Sequence, residues 1–347
     1  MSHRYSLQAI SSARREEWDQ FVNTHSQGHL LQSWAWGELK TSSTWHPIRL
    51  ALWDTEETRI VAAAQVLRRT APHTPAQLGH LAYIPKGPVV DWSQTALSKI
   101  LFMQINDYLR HHGALALRLE PNVLEDSPEH VCVSETLAAL QFGAARSVQP
   151  LRTIMLDVTP AEDTLLARMK EKWRYNVRLA ARKGIQVRLA SSEDDVRAWY
   201  RIMETTSSRD EFGIHTEEYY VRAWHLLTAN DKGRLFLAEH EGQLLAGIFV
   251  TLFGGEGIYL YGASSNEKRN LMPNHLLQWE AIRWIKQQGA TRYDFWGIPD
   301  TDDSEESMAG VYRFKQGWGG NVVRFAGGFE REYQPLVMKT VKRFISF

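Results

Sequence analysis

The sequence predicts two mixed α/β domains of the same kind, each with a mixed central sheet flanked by helices. At 347 residues the chain is long for a single hydrophobic core and suits two. Segments also recur at a spacing of roughly 180 residues, as expected for duplicated domains. Residues 49–66 resemble residues 234–250, and residues 95–120 resemble residues 275–296. Two copies of one element series favour two domains of one architecture.

Each copy of the repeat predicts the same order of elements. The earlier pair of segments, residues 49–66 and 234–250, reads as a strand, a charged turn and a second strand. The later pair, residues 95–120 and 275–296, reads as an apolar-periodic helix that stops at a glycine, followed by a buried strand. An amphipathic helical stretch precedes each hairpin. Helix, hairpin, helix and strand therefore form the repeated unit.

The domain boundaries follow from the repeat. We expect a first domain over residues 1–155 and a second over residues 156–322. The remaining tail, residues 323–347, is expected to pack back on the first domain, with a last helix over residues 333–347. The apolar residues expected to dock this helix are Leu336, Val337, Val341, Phe344 and Ile345. Basic residues lie between them, which leaves peripheral contact with an anionic membrane face as the alternative.

The composition is that of an ordinary globular protein without a global charge. Lys plus Arg and Asp plus Glu each number 40, so binding of an anionic partner must rest on local clusters. Cys132 is the single cysteine, which excludes an intrachain disulfide or thiolate metal cluster and fits a reducing cytoplasm. The best apolar run, residues 244–253, is far short of the roughly 20 residues that cross a bilayer. With no signal-peptide pattern either, we expect a cytoplasmic protein and, by default, a monomer.

The common catalytic motifs are missing from the sequence. It contains no HExxH, no GxSxG, no P-loop and no GxGxxG that opens a helix. Its 13 histidines show no metal-ligand spacing. Metal catalysis and nucleotide hydrolysis are therefore disfavoured, and we predict no metal site.

A strand, a loop and a helix over residues 259–288 lie where a CoA-dependent acetyltransferase would bind pyrophosphate. Such a loop needs glycines, so that backbone N–H groups at the helix N-terminus can reach the phosphates. The loop here, residues 266–274, contains no glycine. The pattern thus predicts an acyltransferase architecture whose acyl donor is not CoA, and no cofactor.

A basic stripe is predicted on a helix over residues 162–183. Its cationic residues recur every four positions and are Lys170, Arg174, Arg178 and Arg182. Such a stripe is either a solvated helix face or a surface for a polyanion, such as a tRNA backbone or a diphosphate.

A lysine between aromatic residues occurs in the segment 310–320. Lys315 follows Phe314 there, after an apolar strand at residues 293–299. A cation held against apolar neighbours is poorly screened, which is useful where an oxyanion develops. The alternative is a strand with a glycine-rich turn and a surface lysine.

Seven segments in this order resemble the Fem family of peptidoglycan-bridge aminoacyltransferases, over essentially the whole chain. They are residues 32–40, 83–91, 170–184, 209–220, 259–265, 293–299 and 310–320. The resemblance implies twin GNAT-like domains that use no CoA. It also implies aminoacyl-tRNA as the donor, whose activated ester is attacked by an amine on the stem peptide of UDP-MurNAc-pentapeptide or of lipid II.

The resemblance further implies roles for individual residues. Lys315, with Phe314 before it, would stabilise the tetrahedral oxyanion and the leaving ribose oxygen. Glu120, the third catalytic candidate, stands where the family usually has an Asp in the acceptor pocket. Lys40 would contact the phosphate region of the substrate. The other residues expected to bind substrate are Trp36, Tyr83, Arg209, His215, Tyr219, Tyr259 and Tyr261. His215 stands where the family commonly shows an Arg.

Three other functions are left open by the residues. One is a CoA-dependent N-acyltransferase on the same fold, and a second is a non-catalytic module that binds tRNA or a cell-wall precursor. The third is a Fem-like enzyme that modifies a different amine. The sequence specifies neither the amino acid transferred nor the acceptor amine.

Overall fold

The fold was analysed in a computed structural model that describes residues 4–70, 79–210, 212–229, 232–302 and 308–341. The chain divides into two compact units. Unit 1 comprises Met1–Leu151 and Arg324–Phe347, and unit 2 comprises Arg152–Val323. The sequence interpretation placed these boundaries after residues 155 and 322.

Unit 1 begins with six strands and the helices between them. In chain order these elements are β1 (Tyr5–Ala9), α1 (Arg15–Thr24), α2 (Trp34–Lys40), β2 (Trp45–Asp54), β3 (Arg59–Arg69), β4 (His80–Ile84), α3 (Thr95–His111), β5 (Ala114–Leu119), α4 (Pro128–Ala139) and β6 (Gly143–Ala145). Helix α3 packs its apolar face on the sheet through fully buried Leu101, Phe102 and Ile105. In the chain, this helix connects β4 to β5, and these two strands pair in parallel.

Unit 2 repeats this series. Its elements are β7 (Arg152–Asp157), α5 (Glu162–Arg168), α6 (Glu171–Arg182), β8 (Gln186–Leu189), α7 (Glu193–Asp210), α8 (Glu217–Thr228), β9 (Gly233–His240), β10 (Gln243–Phe253), β11 (Glu256–Ser264), α9 (Pro273–Gln287), β12 (Arg292–Ile298), α10 (Ala309–Gln316) and β13 (Asn321–Arg324). Its sheet has the order β13-β7-β12-β11-β10-β9-β8, and β11 and β12 form its parallel pair. Buried Leu277 and Ile282 of α9 cover that sheet as α3 covers the first.

The last two elements return to unit 1. They are β14 (Gly328–Glu332) and α11 (Pro335–Val341), and β14 completes the sheet order β1-β2-β3-β4-β5-β14-β6. The prediction of two mixed α/β sheets flanked by helices is therefore confirmed. No helix in the described ranges is both long and apolar enough to span a bilayer.

The docking of the tail differs from the expected one. Leu336 is 82% exposed and Val337 is also exposed, whereas Met338 is buried against Leu81 and Leu115. The expectation for the first two residues was wrong because α11 turns Met338 toward β4 and β5 instead. The side chains of Val341, Phe344 and Ile345 lie outside the described residues.

The basic segment also differs, because residues 162–183 form two helices. The chain is extended at Met169, where α5 ends, and α6 begins after Lys170. The buried Met169 side chain joins the core of unit 2 at this break. The single helix of the sequence interpretation is therefore wrong.

Candidate active site

Lys315 lies on α10 and is 5% exposed. Its ammonium donates hydrogen bonds to the carbonyls of Trp296, at 3.2 Å, and Gly297, at 2.7 Å. The pairing of β12 with β7 is irregular between Asp294 and Gly297, and Trp296 has a positive φ of 60°. This bulge turns two successive carbonyls toward one cation. The alternative of a surface lysine on a strand is thus wrong for this residue.

The ammonium of Lys315 is a cation in a poorly hydrated place. Burial lowers the pKa of Lys315 to about 8, and the nearby Asp294 carboxylate partly offsets this fall. The Tyr259 ring centroid lies 5.7 Å from Nζ. An ammonium has three N–H donors, and within the described ranges two of them are bonded to carbonyls. The described residues supply no hydrogen-bond partner for the third.

Asp294 is a buried carboxylate that the sequence interpretation missed. Its Oδ1 accepts hydrogen bonds from the Thr153 hydroxyl and from the Trp296 N–H, the latter at 2.7 Å. These bonds fix the bulge whose carbonyls hold Lys315. A lone acid inside the apolar strand of residues 293–299 was the available signal.

A second missed group surrounds Phe314. The Trp173 indole N–H donates to the Phe314 carbonyl at 3.0 Å, and the His275 ring lies 5.4 Å from the Phe314 ring. Burial, and to a lesser degree Lys172, lowers the pKa of His275 to about 4, so this ring is neutral at pH 7. Trp173 and His275 therefore pack against the helix that carries Lys315.

The predicted tyrosines of unit 2 fall in two places. Tyr259 lies beside Lys315, whereas the Tyr261 hydroxyl is 3.0 Å from that of Tyr219, on which the His215 ring stacks at 3.8 Å. Burial raises the pKa of Tyr261 and Tyr219, so both hydroxyls stay protonated as donors. The structure thus brings three predicted residues together around one hydroxyl pair.

Arg209 is engaged by its own unit. Its guanidinium donates to the Ser264 carbonyl at 3.0 Å and to Asn266 Oδ1 at 2.9 Å, and it pairs with Asp210 at 2.8 Å. These bonds tie α7 to the end of β11. The predicted substrate contact of Arg209 therefore stays a prediction.

Glu120 follows β5 in unit 1 and is buried. Its carboxylate accepts from the backbone N–H groups of Val148 and Gln149, the second at 2.9 Å, and from the Tyr83 hydroxyl at 3.2 Å. Burial raises the pKa of Glu120, although these donors and the Lys86 cation oppose the rise. Both oxygens thus hold the chain at residues 148–149, and the catalytic role of Glu120 stays a prediction.

Lys40 ends α2 and lies with its Nζ 4.7 Å from the Trp36 ring centroid. Burial lowers the pKa of Lys40 to about 8. The structure therefore pairs these two predicted residues as a cation over an aromatic face.

The four predicted cations of the basic segment are not equivalent. Lys170 donates through Nζ to Gln316 and through its N–H to the Gly317 carbonyl, at 3.0 and 2.9 Å. Arg174 donates to carbonyls at the end of α5, including that of Ala167 at 3.0 Å. Arg178 and Arg182, in contrast, are exposed on α6, and their side chains form neither a hydrogen bond nor an ion pair with a described residue. These two arginines line a depression of about 330 Å³, together with Glu171, Arg174 and Tyr175.

The loop that would bind CoA pyrophosphate carries side chains instead of glycines. Lys268 and Met272 have positive φ angles of 46° and 58°, and α9 starts at Pro273, which has no N–H. Lys268 also pairs with Glu241 at 3.0 Å. The residues at this helix start therefore do not fit a pyrophosphate cradle. The described chain also holds no group of three or more His, Cys, Asp or Glu residues placed to bind a metal ion.

Comparisons with known proteins agree with this architecture. The FemAB family model matches residues 13–135, 133–239 and 229–344. The lipid II:glycine glycyltransferase of Staphylococcus saprophyticus is 26% identical over 90% of each chain. That of Staphylococcus aureus is 26% identical over 91% of this chain and 90% of its own.

Solved structures show the same fold. The crystal structure of FemX superposes with a TM-score of 0.87 at 24% identity, over 97% of this chain and 100% of that one. A tandem GNAT protein from the clavulanic acid pathway gives a TM-score of 0.55 at 12% identity, over 94% and 98%. Each unit is thus GNAT-like.

Proposed function

Because the chain belongs to the FemAB family, we propose that it is an aminoacyltransferase that adds an amino acid to a peptidoglycan precursor. The names of its relatives, lipid II:glycine glycyltransferases matched over nine-tenths of their length, support this assignment. The proposed donor is aminoacyl-tRNA. The proposed acceptor is an amine on the stem peptide of UDP-MurNAc-pentapeptide or lipid II, and the product is an interpeptide bridge.

The observation that carries the proposal is the buried ammonium of Lys315. In the reaction, the acceptor nitrogen attacks the ester carbonyl, a C–N bond forms, and the C–O bond to the ribose breaks. The amine loses one proton, and the ribose oxygen gains one as it leaves. The Lys315 ammonium donates its third N–H to the oxyanion of the tetrahedral intermediate, in a place where little water screens it.

The energetic demand on the protein is small because the ester is already activated. Holding amine and carbonyl at near-attack distance supplies several kcal/mol. One donor aimed at the oxyanion supplies about 3 kcal/mol more. This is enough for a site without a metal ion or a cofactor.

The remaining predicted residues bind the two substrates in this proposal. In unit 2, the hydroxyl pair of Tyr219 and Tyr261, with His215 stacked beside it, supplies donors for a substrate. In unit 1, Lys40 supplies a cation for the phosphates of the acceptor. A tRNA donor is supported by the helix start at Pro273, which does not fit the CoA pyrophosphate. We place the reaction in the cytoplasm, with peripheral membrane contact when the acceptor is lipid II.

The test is a transfer reaction read by mass spectrometry. Purified protein is incubated with a pool of charged tRNAs and either UDP-MurNAc-pentapeptide or lipid II in detergent. The expected result is a product heavier by one or more amino-acid residues with at least one acceptor. A parallel reaction replaces the charged tRNAs with acetyl-CoA. An acetylated product there, without aminoacylated product in the first, would contradict the proposed donor.

A further inference from the structure

We infer that Tyr175, with Arg178 and Arg182, forms a stacking site for an unpaired nucleotide at the end of the RNA donor. This inference rests on the proposed function and assigns part of its donor site. Tyr175 is 54% exposed on α6, although large aromatic side chains are mostly buried in this protein. Its ring lies 5.9 Å from the Arg182 guanidinium. An exposed ring next to guanidinium groups is the arrangement that binds a base and its phosphate together.

The helix has two faces with different tasks. The inner face, with Asn176, Val177 and Ala180, is buried against the core of unit 2. The outer face carries Tyr175 and Arg178, and both are exposed. Because the inner face holds the helix in place, the outer groups are presented on a rigid element.

The charges on the outer face favour a polyanion. Arg178 and Arg182 lie one turn apart, about 6 Å along the axis. Within the described chain neither forms an ion pair with a carboxylate, and Glu171 is the acidic residue of the depression. Arg174 lines the same depression, but its Nη1 donates to carbonyls at the end of α5. Two guanidinium groups are therefore available to phosphates.

The aromatic ring selects an unpaired segment over a duplex. Bases in a duplex are stacked on one another, so a side chain can stack only on a base that is free of its neighbours. The aminoacyl ester of a charged tRNA sits on an unpaired 3′ end. Tyr175 therefore matches the single-stranded end, whereas the two arginines fit any phosphate backbone.

The test compares two fluorescein-labelled RNA hairpins by anisotropy, one with an unpaired 3′ end and one blunt. We expect Tyr175→Ala to weaken binding of the first about 5- to 150-fold and to leave the second unchanged. Tyr175→Phe, which keeps the ring, should bind within about twofold of wild type. Replacing both Arg178 and Arg182 with Ala should weaken both hairpins and reduce the slope of log K against log salt by about 1.4.

A matched control is Arg201→Ala, which removes an exposed arginine from α7 in the same unit and should change neither hairpin. Equal affinity of Tyr175→Ala and wild type for the hairpin with an unpaired end would overturn the inference. A loss confined to vesicles of anionic phospholipid would also overturn it and assign this face to a membrane.

The transfer reaction separates this inference from the proposed function. Tyr175-dependent RNA binding without any aminoacylated product would leave the stacking site standing and contradict the proposed reaction. Product formation with an unchanged KM for charged tRNA in Tyr175→Ala would do the reverse.

Discussion

Replacing Lys315 with methionine removes the buried charge and keeps most of the side-chain volume on α10. The variant loses two hydrogen bonds to the carbonyls of Trp296 and Gly297. A buried carbonyl without a partner costs about 1–3 kcal/mol. Against this loss stands the cost of burying the cation, since a pKa lowered from 10.5 to about 8 corresponds to about 3 kcal/mol in favour of the neutral amine.

These two effects on stability are of similar size and opposite sign. We therefore expect the unfolding free energy of Lys315→Met to lie within about 2 kcal/mol of wild type, which corresponds to a Tm change of at most about 8 °C. Catalysis has no such compensation. Loss of an oxyanion donor should reduce kcat by about a hundredfold or more, with KM largely unchanged.

The assay measures steady-state transfer and thermal unfolding on the same preparations. Lys286→Met is a matched control, because the Lys286 ammonium also donates to two carbonyls, those of Val158 and Thr159, at 3.1 and 2.9 Å. It should lose the same number of hydrogen bonds to carbonyls and keep its kcat. A wild-type kcat in Lys315→Met would refute the proposed role and leave Lys315 as a structural link between α10 and β12.

Two further predictions concern the ammonium groups of Lys315 and Lys40 and the C-terminal end of α10. The ammonium of Lys315 is the active form and its pKa is lowered to about 8, so kcat should fall as the pH rises through about 8. The pKa of Lys40 is also lowered to about 8, so its deprotonation in the same range should raise the KM for the acceptor. A flat kcat profile from pH 7 to 9 would contradict the role of Lys315. Gly317→Ala would place a Cβ 2.0 Å from the Trp173 ring, so the ring must move, with an expected loss of about 1–3 kcal/mol in urea unfolding and a lower kcat. Gly310→Ala on the same helix has open space around its Cβ and should change neither quantity.

The sheets were predictable from the sequence because they follow from local periodicity that occurs twice. The spacing of apolar residues indicates strands in the hairpins β2–β3 and β9–β10 and helices in α3 and α9. Their duplication then fixed the element order. The irregular elements were not predictable in this way.

The site depends on contacts that are distant in sequence. The break in the helix at Met169 is supported by the hydrogen bond from the Lys170 N–H to the Gly317 carbonyl. Helix propensity of the local sequence cannot predict a bond to a residue so distant in the chain. Burial of Lys315 likewise depends on the bulge at Trp296 in another strand. Lys170, in the predicted cationic stripe, likewise bonds to the distant Gln316, whereas Arg174 in that stripe bonds to nearby carbonyls at the end of α5.

Helix α6 connects the proposed RNA-binding face to the proposed catalytic cation. From its inner side, the Trp173 indole bonds to the carbonyl of Phe314, and the N–H of Lys170 bonds to that of Gly317. These two anchors lie on either side of Lys315 in the chain, so the position of its ammonium is set by the helix that carries Tyr175. If both proposals hold, a rigid connection of this kind would keep the end of the RNA in a fixed position relative to the oxyanion donor. Changes on the outer face should then act on KM for the RNA, and changes on the inner face on kcat.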